Sequence, residues 1–393
     1  MINSYFRLAQ QVLLQLEKKG FQAYIVGGAV RDSILNRKVV DIDIATSALP
    51  EEVQSIFSKV IPTGIQHGTV LVRYQNESFE VTTFRTESTY SDSRHPDNVS
   101  FVSNLKEDLA RRDFTMNAIA MNRSFDLIDP FQGQHDIEYK LIRTVGQAKE
   151  RFLEDALRMM RAIRFQSQLG FKIEKSAFMA IEQNRQGLSK IAVERIAAEW
   201  EKTIKGNYFN EAIKTLFSTR LYQNLPLIGN NKQLIQAIKE LHKPIPSFAA
   251  FIAYMNISVQ EIEVTDWIKE WKLSNQIKKE SKKLVQLLSQ YPTEALRWVV
   301  YQLPYHLIED FSVLTDLCSR KTISQQEVIK LRKSLSIQSR KELAIDGNDV
   351  ISFFPERNKG SWIQDLLSQV EHGVVLGKID NTKIAIREWL KYG

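Results

Sequence analysis

The chain has 393 residues, with 53 Lys and Arg against 46 Asp and Glu, a formal net charge of +7 and 43% hydrophobic residues. This composition is ordinary for a folded protein and excludes wholesale disorder. The single cysteine, Cys318, excludes an internal disulfide and a metal site built from cysteines. No apolar run reaches the roughly 18 residues of a membrane span, and the first residues have the spacing of an amphipathic helix rather than of a signal peptide. We therefore expect a cytoplasmic protein without a membrane partner.

The first part of the chain alternates between helical and strand patterns. The predicted elements are a helix over 1–20, a strand over 21–26, a helix over 29–35, a strand over 39–45, a helix over 53–58 and paired strands over 69–74 and 78–84. Residues 85–98 are polar and predict a long loop, and strand patterns end near residue 145. From about Lys149 onward the pattern is nearly all helical. We therefore predict an α+β protein, with an N-terminal head of a small mixed sheet and helices followed by an elongated all-α part.

Two acidic residues in the head favour a metal site. Asp41 and Asp43 lie two residues apart in a predicted strand, so both side chains point to the same face. Two carboxylates on one face repel each other, and burying them costs free energy unless a cation lies between them. Mg²⁺ often binds through one or two carboxylates and the phosphates of a substrate. An isolated Asp-x-Asp pair is, however, more often two solvated residues on an edge strand.

The residues that precede Asp41 favour a phosphate-binding site. Gly27 and Gly28 end a predicted strand, and Arg31 lies in the first turns of the next helix. Glycine lets the backbone approach a phosphate closely, and a helix N-terminus presents free N–H groups to an anion. Arg31 could add a bidentate contact. A Gly-Gly turn and an arginine followed by Asp-x-Asp on the next strand form a specific pattern.

A third acid, Glu80, lies between two apolar residues in the middle of a predicted strand. It is either a third metal ligand or a cross-strand partner of Arg73 or Arg85, and the sequence leaves both open.

At this point a family resemblance is clear. Residues 27–32 (GGAVRD) with 41–46 (DIDIAT) are similar to the signature of the polymerase-β-type nucleotidyltransferase superfamily. They resemble in particular the class II tRNA nucleotidyltransferases, or CCA-adding enzymes, and the related bacterial poly(A) polymerases. Further family motifs follow in order: residues 111–118 (RRDFTMNA), the hinge motif over 129–137, residues 154–165 with EDALR and RAIRF and, more softly, 194–196 (ERI) and 343–349 (LAIDGND).

The resemblance implies an enzyme that adds C, C and A to the 3′ end of tRNA from CTP and ATP without a nucleic-acid template. It implies release of pyrophosphate by two-metal phosphoryl transfer, with Mg²⁺ held by the catalytic Asp41 and Asp43. Gly28, Arg31 and Arg112 would orient the nucleotide, although Arg112 could instead form a structural ion pair. The chain would divide into a catalytic head over 1–148, a neck over 149–210 that recognises the base, a helical body over 211–310 and a helical, tRNA-binding tail over 311–393.

Base selection is assigned to Asp155 and Arg158. They are spaced i, i+3 on a helix predicted over 151–165 and can lie side by side. The carboxylate would accept a hydrogen bond from the exocyclic amine of C or A, and the guanidinium would donate to the neighbouring ring acceptor. G and U reverse this pattern and would leave buried charges unpaired. Glu154, one turn before Arg158, would hold the guanidinium in place.

Two further arginines continue this helix. Arg161 lies close enough to contact the same nucleotide, whereas Arg164 lies nearly half a turn from Asp155 and could instead pack between domains. The resemblance implies that both bind nucleotide. For an anonymous helix, a solvated basic face would be the commoner explanation.

The remaining motifs concern RNA binding and alternative functions. The loop 85–98 resembles a flexible loop that is implied in the family's switch from C to A addition, although it could be an ordinary surface loop. Basic pairs such as Lys278-Lys279 and Lys282-Lys283 suit RNA phosphates, although each pair alone is more often a solvated face. The alternative function is that of a bacterial poly(A) polymerase. Against it, residues 65–70 (IQHGTV) are more similar to the CCA-adding branch, and the sequence does not show the long basic C-terminal extension usual in poly(A) polymerases. An A-adding enzyme stays open as a further alternative. A catalytically silent RNA-binding module would have no need of two repelling acids.

Overall fold

The computed structural model describes residues 4–87, 99–291, 295–318 and 321–392. The chain forms two compact units, Met1–Asn230 and Asn231–Gly393. The first contains a mixed sheet with helices and the described residues of the second are helical, which confirms the α+β prediction. The division into head, neck, body and tail stays a prediction, and its boundaries at 148 and 210 both fall inside the first unit.

The strands of the described residues all lie in the first unit. They are β1 Ala23–Val26, β2 Asp43–Thr46, β3 Val60–Gly64, β4 Thr69–Tyr74, β5 Glu77–Thr83, β6 Arg85–Glu87, β7 Val99–Phe101, β8 Ala120–Met121, β9 Leu127–Ile128, β10 Leu141–Ile142 and β11 Lys172–Ile173. Seven form one sheet in the order β3-β4-β5-β2-β1-β8-β9, in which β2 and β5 run parallel. β6 with β7 and β10 with β11 form two-stranded sheets. β11 shows that the expected end of strand structure near residue 145 is wrong.

Ten α-helices lie in the described residues of each unit. The first unit contains α1 Ser4–Lys18, α2 Gly28–Ile34, α3 Pro50–Ile56, α4 Leu105–Ala110, α5 Gly133–Glu138, α6 Ala148–Glu154, α7 Leu157–Leu169, α8 Lys175–Asn184, α9 Val193–Ile204 and α10 Phe209–Ser218. The second contains α11 Lys232–Glu240, α12 Phe248–Ser258, α13 Val264–Glu270, α14 Asn275–Gln290, α15 Leu296–Gln302, α16 Ile308–Leu317, α17 Gln325–Lys333, α18 Gly347–Phe353, α19 Trp362–Val375 and α20 Lys383–Tyr392. None of these described helices is both long and apolar enough to cross a membrane.

The predicted hairpin of the head follows from its turn residues. β4 and β5 pair with Tyr74 opposite Glu77, and the two residues between them, Gln75 and Asn76, have positive φ angles of 46° and 69°. Two residues with positive φ form the turn whose twist matches that of the adjoining strands. The hairpin places β5 beside β2, and β2 in turn pairs with β1.

A buried apolar cluster supports the edge at which the strands β1 and β2 meet helix α4. It contains Val26, Ala45, Phe84, Leu105, Leu109, Ala118, Ala120 and Val145. Because Val26 ends β1 and Leu109 lies near the end of α4, this core holds the turn after β1 and the segment after α4 on one rigid base.

The helix predicted over 151–165 is broken. α6 ends at Glu154, Asp155 is extended with φ −139° and ψ 103°, and α7 begins at Leu157. Oδ1 of Asp155 accepts a hydrogen bond from the N–H of Leu157 at 3.0 Å. The carboxylate thus satisfies a free donor in the first turn of α7, as aspartate commonly does at helix starts, and competes with continuation of the helix.

The described part of the loop predicted over 85–98 is strand. β6 and β7 pair from Arg85 opposite Phe101 to Glu87 opposite Val99. Residues 88–98, and with them most of this predicted loop, lie outside the described residues.

Candidate active site

A polar cavity of about 570 Å³ lies in the first unit. It is lined by residues from several segments that are far apart in sequence: Gly27, Gly28, Arg31, Asp41, Asp43, Arg85, Arg111, Arg112, Asp113, Asn117, Asp155, Leu157, Arg158, Arg161, Arg164, Phe165 and Arg195. Every predicted site residue except Glu80 is among them. Their predicted chemical roles are not tested by this placement.

The register of β1 and β2 brings the glycine turn beside the acidic residues. Val26 is the partner of Asp43, so Gly27 follows directly at that end of the strand pair. Gly27 has φ +73°, and a Cβ atom there would lie 3.7 Å from Oδ2 of Asp43 and 3.2 Å from Nη1 of Arg112. Glycine therefore provides both the left-handed backbone and the narrow space between an acid and a guanidinium.

The strand that bears the acids is shorter than predicted. β2 begins at Asp43, so Asp41 precedes the strand and is exposed, whereas Asp43 is half-buried. The prediction of one strand carrying both side chains is wrong in this detail. Both residues nevertheless line the same cavity.

The surroundings of Asp43 favour a cation. Burial raises its pKa to about 6, with further contributions from the charges of Glu80 and Asp41, and Arg112 opposes the shift. Glu80 is the partner of Asp43 in the parallel pairing of β2 and β5, which explains its influence. Bringing carboxylates together at this cost is the arrangement that a hard divalent cation relieves, because it prefers oxygen ligands.

Glu80 itself is exposed and does not line the cavity. Within the described ranges, no three His, Cys, Asp or Glu side chains are grouped so as to hold a metal ion. A third-ligand role for Glu80 therefore stays a prediction.

Arg31 is held rigidly on the first helix after the glycine turn. Its Nε and Nη2 each donate to Asp32 at 3.0 Å, and its Nη1 donates to Oδ1 of Asn117 at 2.6 Å. Asn117 in turn donates to Oδ1 of Asp113 at 3.0 Å. Arg31 is only 9% exposed, so the bonds fix its guanidinium at the cavity wall.

Asp113, the acid of the 111–113 motif, is a buried hub. Burial alone would raise its pKa, but Arg161, Asn117 and Arg158 outweigh burial and lower the pKa to about 2. Nε of Arg161 donates to Oδ2 of Asp113 at 2.6 Å. The carboxylate therefore stays charged and orients Arg161 along the cavity.

Arg164 lies in the cavity wall and in an ion pair within the predicted neck, so both alternatives for this residue stay predictions. It lines the cavity, and its Nε lies 2.6 Å from Oε2 of Glu199 on α9. Burial lowers the pKa of Arg164 to about 10, against the charge of Glu199. A guanidinium with this pKa is charged at neutral pH.

Phe165 is a site residue that the sequence reasoning missed. Its ring lies under three guanidinium groups, with centroid distances of 4.1 Å to Arg164, 5.1 Å to Arg31 and 5.6 Å to Arg161. Such contacts attract cations to the ring face. The only sequence signal was its place at the end of the matched 154–165 motif.

Asp155 and Arg158 do not pair with each other as side-by-side neighbours on one helix. Oδ2 of Asp155 accepts from Nη2 of Arg195 at 2.8 Å. Nη1 of Arg158 donates to Glu154 at 2.6 Å, which confirms the predicted support of Arg158 by Glu154. Both residues still face one cavity. Arg195, whose motif 194–196 was the available signal, is a further site residue that sequence reasoning did not assign.

Arg112 forms the ion pair that was the alternative to a nucleotide contact, and it also lines the cavity. Its Nη2 donates to Oδ2 of Asp108 at 3.1 Å. Its buried Nε has no hydrogen-bond partner among the described residues. A buried donor without a partner is costly unless a ligand satisfies it.

Comparison with known proteins identifies the class to which the chain belongs. Residues 23–143 match the family model described as the poly A polymerase head domain. Residues 170–230 match a probable RNA and SrmB- binding site of polymerase A, and residues 239–390 match a putative tRNA nucleotidyltransferase domain 2. The fold and the site thus define a nucleotidyltransferase, and enzymes of this polymerase-β type generally use a divalent metal.

Full-length relatives narrow the class. The chain is 43% identical to the CCA-adding enzyme of Oceanobacillus iheyensis, over 99% of this chain and 98% of that protein. It is also 43% identical to the CCA-adding enzyme of Listeria monocytogenes, over 100% of this chain and 99% of that protein. The crystal structure of Bacillus stearothermophilus CCA-adding enzyme in complex with CTP matches with a TM-score of 0.84 and 36% identity, over 99% of this chain and 97% of that chain. The chain belongs to the family of CCA-adding enzymes.

Proposed function

We propose that this protein adds C, C and A to the 3′ end of tRNA from CTP and ATP, without a nucleic-acid template, and releases pyrophosphate at each addition. The observation that carries the proposal is that Asp41 and Asp43, the Gly27-Gly28 turn and Asp155 with Arg158 all line one cavity. Family membership supports the same reaction. Transfer proceeds by attack of the terminal 3′-oxygen on the α-phosphorus and cleavage of the bond to the β-phosphate oxygen.

Asp41 and Asp43 are the residues that would hold Mg²⁺ in this reaction. When bound there, Mg²⁺ supplies positive charge against the phosphates and favours deprotonation of the attacking hydroxyl. The crowding of Asp43 by Asp41 and Glu80 supports this assignment. The two-ion form of the chemistry stays a prediction.

The arginines would bind the triphosphate. Gly28 begins α2 and lets the backbone approach a phosphate; Arg31 and Arg112 lie beside this turn in the cavity wall. Arg161 and Arg164 add two further charges. Guanidinium groups favour phosphate oxygens because their donors match them in pairs, so this wall would neutralise the leaving pyrophosphate.

Asp155 and Arg158 would select the base. Arg195 holds the Asp155 carboxylate, and Glu154 and the carbonyl of Arg111 hold the Arg158 guanidinium. A fixed acceptor and a fixed donor in one cavity can match the amine and ring acceptor that C and A share, and they mismatch G and U. Supports of this kind raise selectivity, because the side chains cannot turn to suit the wrong base.

The tRNA would contact the helical segments. Residues 170–230 and 239–390 match models described in terms of RNA binding and tRNA nucleotidyltransferase, which supports this assignment. We also propose that the protein acts in the cytoplasm, as the sequence predicts.

A product assay tests the proposal. Transcripts of tRNA lacking the 3′ CCA are incubated with each nucleotide singly and then with CTP and ATP together, and the products are sequenced. Two C residues followed by one A are expected. A long A tract formed from ATP alone would overturn the proposal in favour of a poly(A) polymerase.

Removing either acid should stop the chemistry. Asp41→Ala and Asp43→Ala are expected to lower incorporation by more than about a thousandfold, because the charge that stabilises transfer is lost. Binding of tRNA, measured by filter retention, should stay within about twofold, because protein contacts to the tRNA phosphates supply affinity independently of the metal.

Asp126→Ala is the matched control, since Asp126 is an exposed acid of the same unit outside the cavity. It should retain wild-type incorporation. Full activity of either cavity variant would remove the assigned role.

A further inference from the structure

We propose that Asp108 is a positioning residue that fixes the arginines at both ends of the nucleotide cavity. The inference rests on the proposed function and deepens it. Asp108 does not itself line the cavity, so it would act through its neighbours and not by touching the nucleotide.

The Asp108 carboxylate is enclosed and shared. It lies on α4, and its side chain is 0% exposed. Oδ1 accepts from Nε and Nη2 of Arg111 at 3.0 and 2.8 Å, and Oδ2 accepts from Nη2 of Arg112 at 3.1 Å. One buried charge therefore orients two consecutive guanidinium groups, both of which line the cavity.

Through Arg112, Asp108 acts on the triphosphate end. Nη1 of Arg112 lies 3.2 Å from the position of a Cβ on Gly27, and its Nε is the buried donor without a protein partner among the described residues. Since Nη2 is bound to Asp108, Nη1 is held beside the glycine turn. Without Asp108, the guanidinium would have no fixed direction there.

Through Arg111, Asp108 acts on the base end. The carbonyl of Arg111 accepts from Nη2 of Arg158 at 3.0 Å. The backbone at Arg111 is thus a support of the guanidinium proposed to select the base. Oδ1 of Asp108 also accepts from the backbone N–H of Arg85 at 3.4 Å. The start of β6 is therefore bound to the same carboxylate.

Charge balance gives a reason for a buried acid at this place. Arg85, Arg111, Arg112 and Arg158 all line the cavity, and like charges in a confined site repel each other. Burial would raise the pKa of Asp108, but the charges of Arg111 and Arg112 outweigh it and lower the pKa. The carboxylate therefore keeps its charge and holds the arginines before the nucleotide arrives.

The test is Asp108→Asn in the full-length protein. Asn keeps the shape but cannot accept from both arginines as an anion. We expect KM for CTP and for ATP to rise about tenfold or more, with kcat changed less and KM for tRNA unchanged. An unchanged nucleotide KM in wild-type-like protein would overturn the proposal.

A control separates positioning from loss of stability. Glu371 in the second unit is also a buried acid paired with an arginine, Arg340. Glu371→Gln should lower the melting temperature without raising the nucleotide KM. If it raises KM as much as Asp108→Asn does, the effect is one of general stability and the proposal fails.

A double-mutant cycle identifies the route. In an Arg112→Ala background, Asp108→Asn should raise KM by clearly less than tenfold, because one of the two guanidinium groups that it positions is already gone. A full tenfold effect in that background would contradict action through Arg112. If Asp108→Asn does not fold, the pair Asp108→Glu and Asp108→Gln gives the same comparison of charge, with a higher KM expected for Gln; equal KM values would overturn the proposal.

These outcomes are distinct from failure of the proposed function. If wild-type protein makes no CCA end, the proposed function fails. If it makes one and Asp108→Asn has normal nucleotide KM values, only the present inference fails.

Discussion

Asp155 shows how much one side chain does in this cavity. One oxygen accepts from the N–H of Leu157 at 3.0 Å and the other from Arg195 at 2.8 Å. The same carboxylate therefore starts α7 and is held from α9. Since each oxygen has a second lone pair, it can still accept a hydrogen bond from a base.

Asp155→Asn should reduce base selection. An amide presents a donor as well as an acceptor and can satisfy the pattern of U or G. We expect the ratio of kcat/KM for CTP to that for UTP to fall about a hundredfold, measured on tRNA lacking its 3′ end.

The matched control for this prediction is Glu150→Gln. Glu150 is an exposed acid on α6, the helix that ends directly before Asp155, and it does not line the cavity. In Glu150→Gln, the ratio of kcat/KM for CTP to that for UTP should equal the wild-type ratio. An unaltered ratio in Asp155→Asn would show that Asp155 does not select the base.

At the scale of elements, the turn between β1 and α2 lies beside Asp43 of β2 and beside Arg112. Gly27 needs its positive φ of +73°, and it also leaves the gap between Asp43 and Arg112. A residue with a side chain would both strain the turn and push on the cavity wall.

Gly27→Ala is therefore expected to lower the free energy of unfolding by about 1 kcal/mol and to raise the nucleotide KM about tenfold. Denaturant unfolding and steady-state kinetics measure the two effects. Gly20→Ala is a close control, because Gly20 also has positive φ, +89°, and its Cβ would have no neighbour within 4 Å.

Gly20→Ala should show a similar loss of stability with a normal KM. A rise in KM for both variants would mean that strain alone, rather than the gap beside Arg112, affects nucleotide binding.

At the scale of the whole molecule, basic residues of the second unit divide into two groups. Some hold the fold together: Arg332 donates to the carbonyl of Val300 at 3.4 Å, and Nε of Arg340 donates to Glu371 at 2.7 Å. Others, such as Lys279 and Lys282 on α14, are exposed. They are spaced i, i+3 and lie on one face of that helix.

Reversing these two exposed charges should weaken tRNA binding. We expect Lys279→Glu with Lys282→Glu to lower tRNA affinity about tenfold at low salt and to make its salt dependence shallower, because fewer counterions are released. KM for CTP should not change. Titrations of labelled tRNA at several salt concentrations measure both effects.

Lys18→Glu with Lys19→Glu is the control, since both lysines are exposed in the first unit and no role is assigned to them. Equal losses of affinity in the two double variants would indicate a change of net charge alone. No loss in the α14 variant would exclude that face as a contact surface.

Local sequence was enough to predict much of this protein. The turn at Gly27, the hairpin around Gln75 and Asn76 and the amphipathic α1 depend on the backbone preferences and spacing of neighbouring residues. The presence of Asp41 and Asp43 in the cavity could be predicted, because two acids separated by one residue have few structural uses beside a Gly-Gly turn. All of these signals lie within a few residues of one another.

Only the tertiary structure shows which partners hold the residues of the cavity in place. Arg195 reaches Asp155, Arg158 reaches the carbonyl of Arg111, and Asp108 reaches the N–H of Arg85. These partners lie 40, 47 and 23 residues apart. Composition and periodicity do not encode such pairings, because they depend on how separate elements pack and on which charges become buried together.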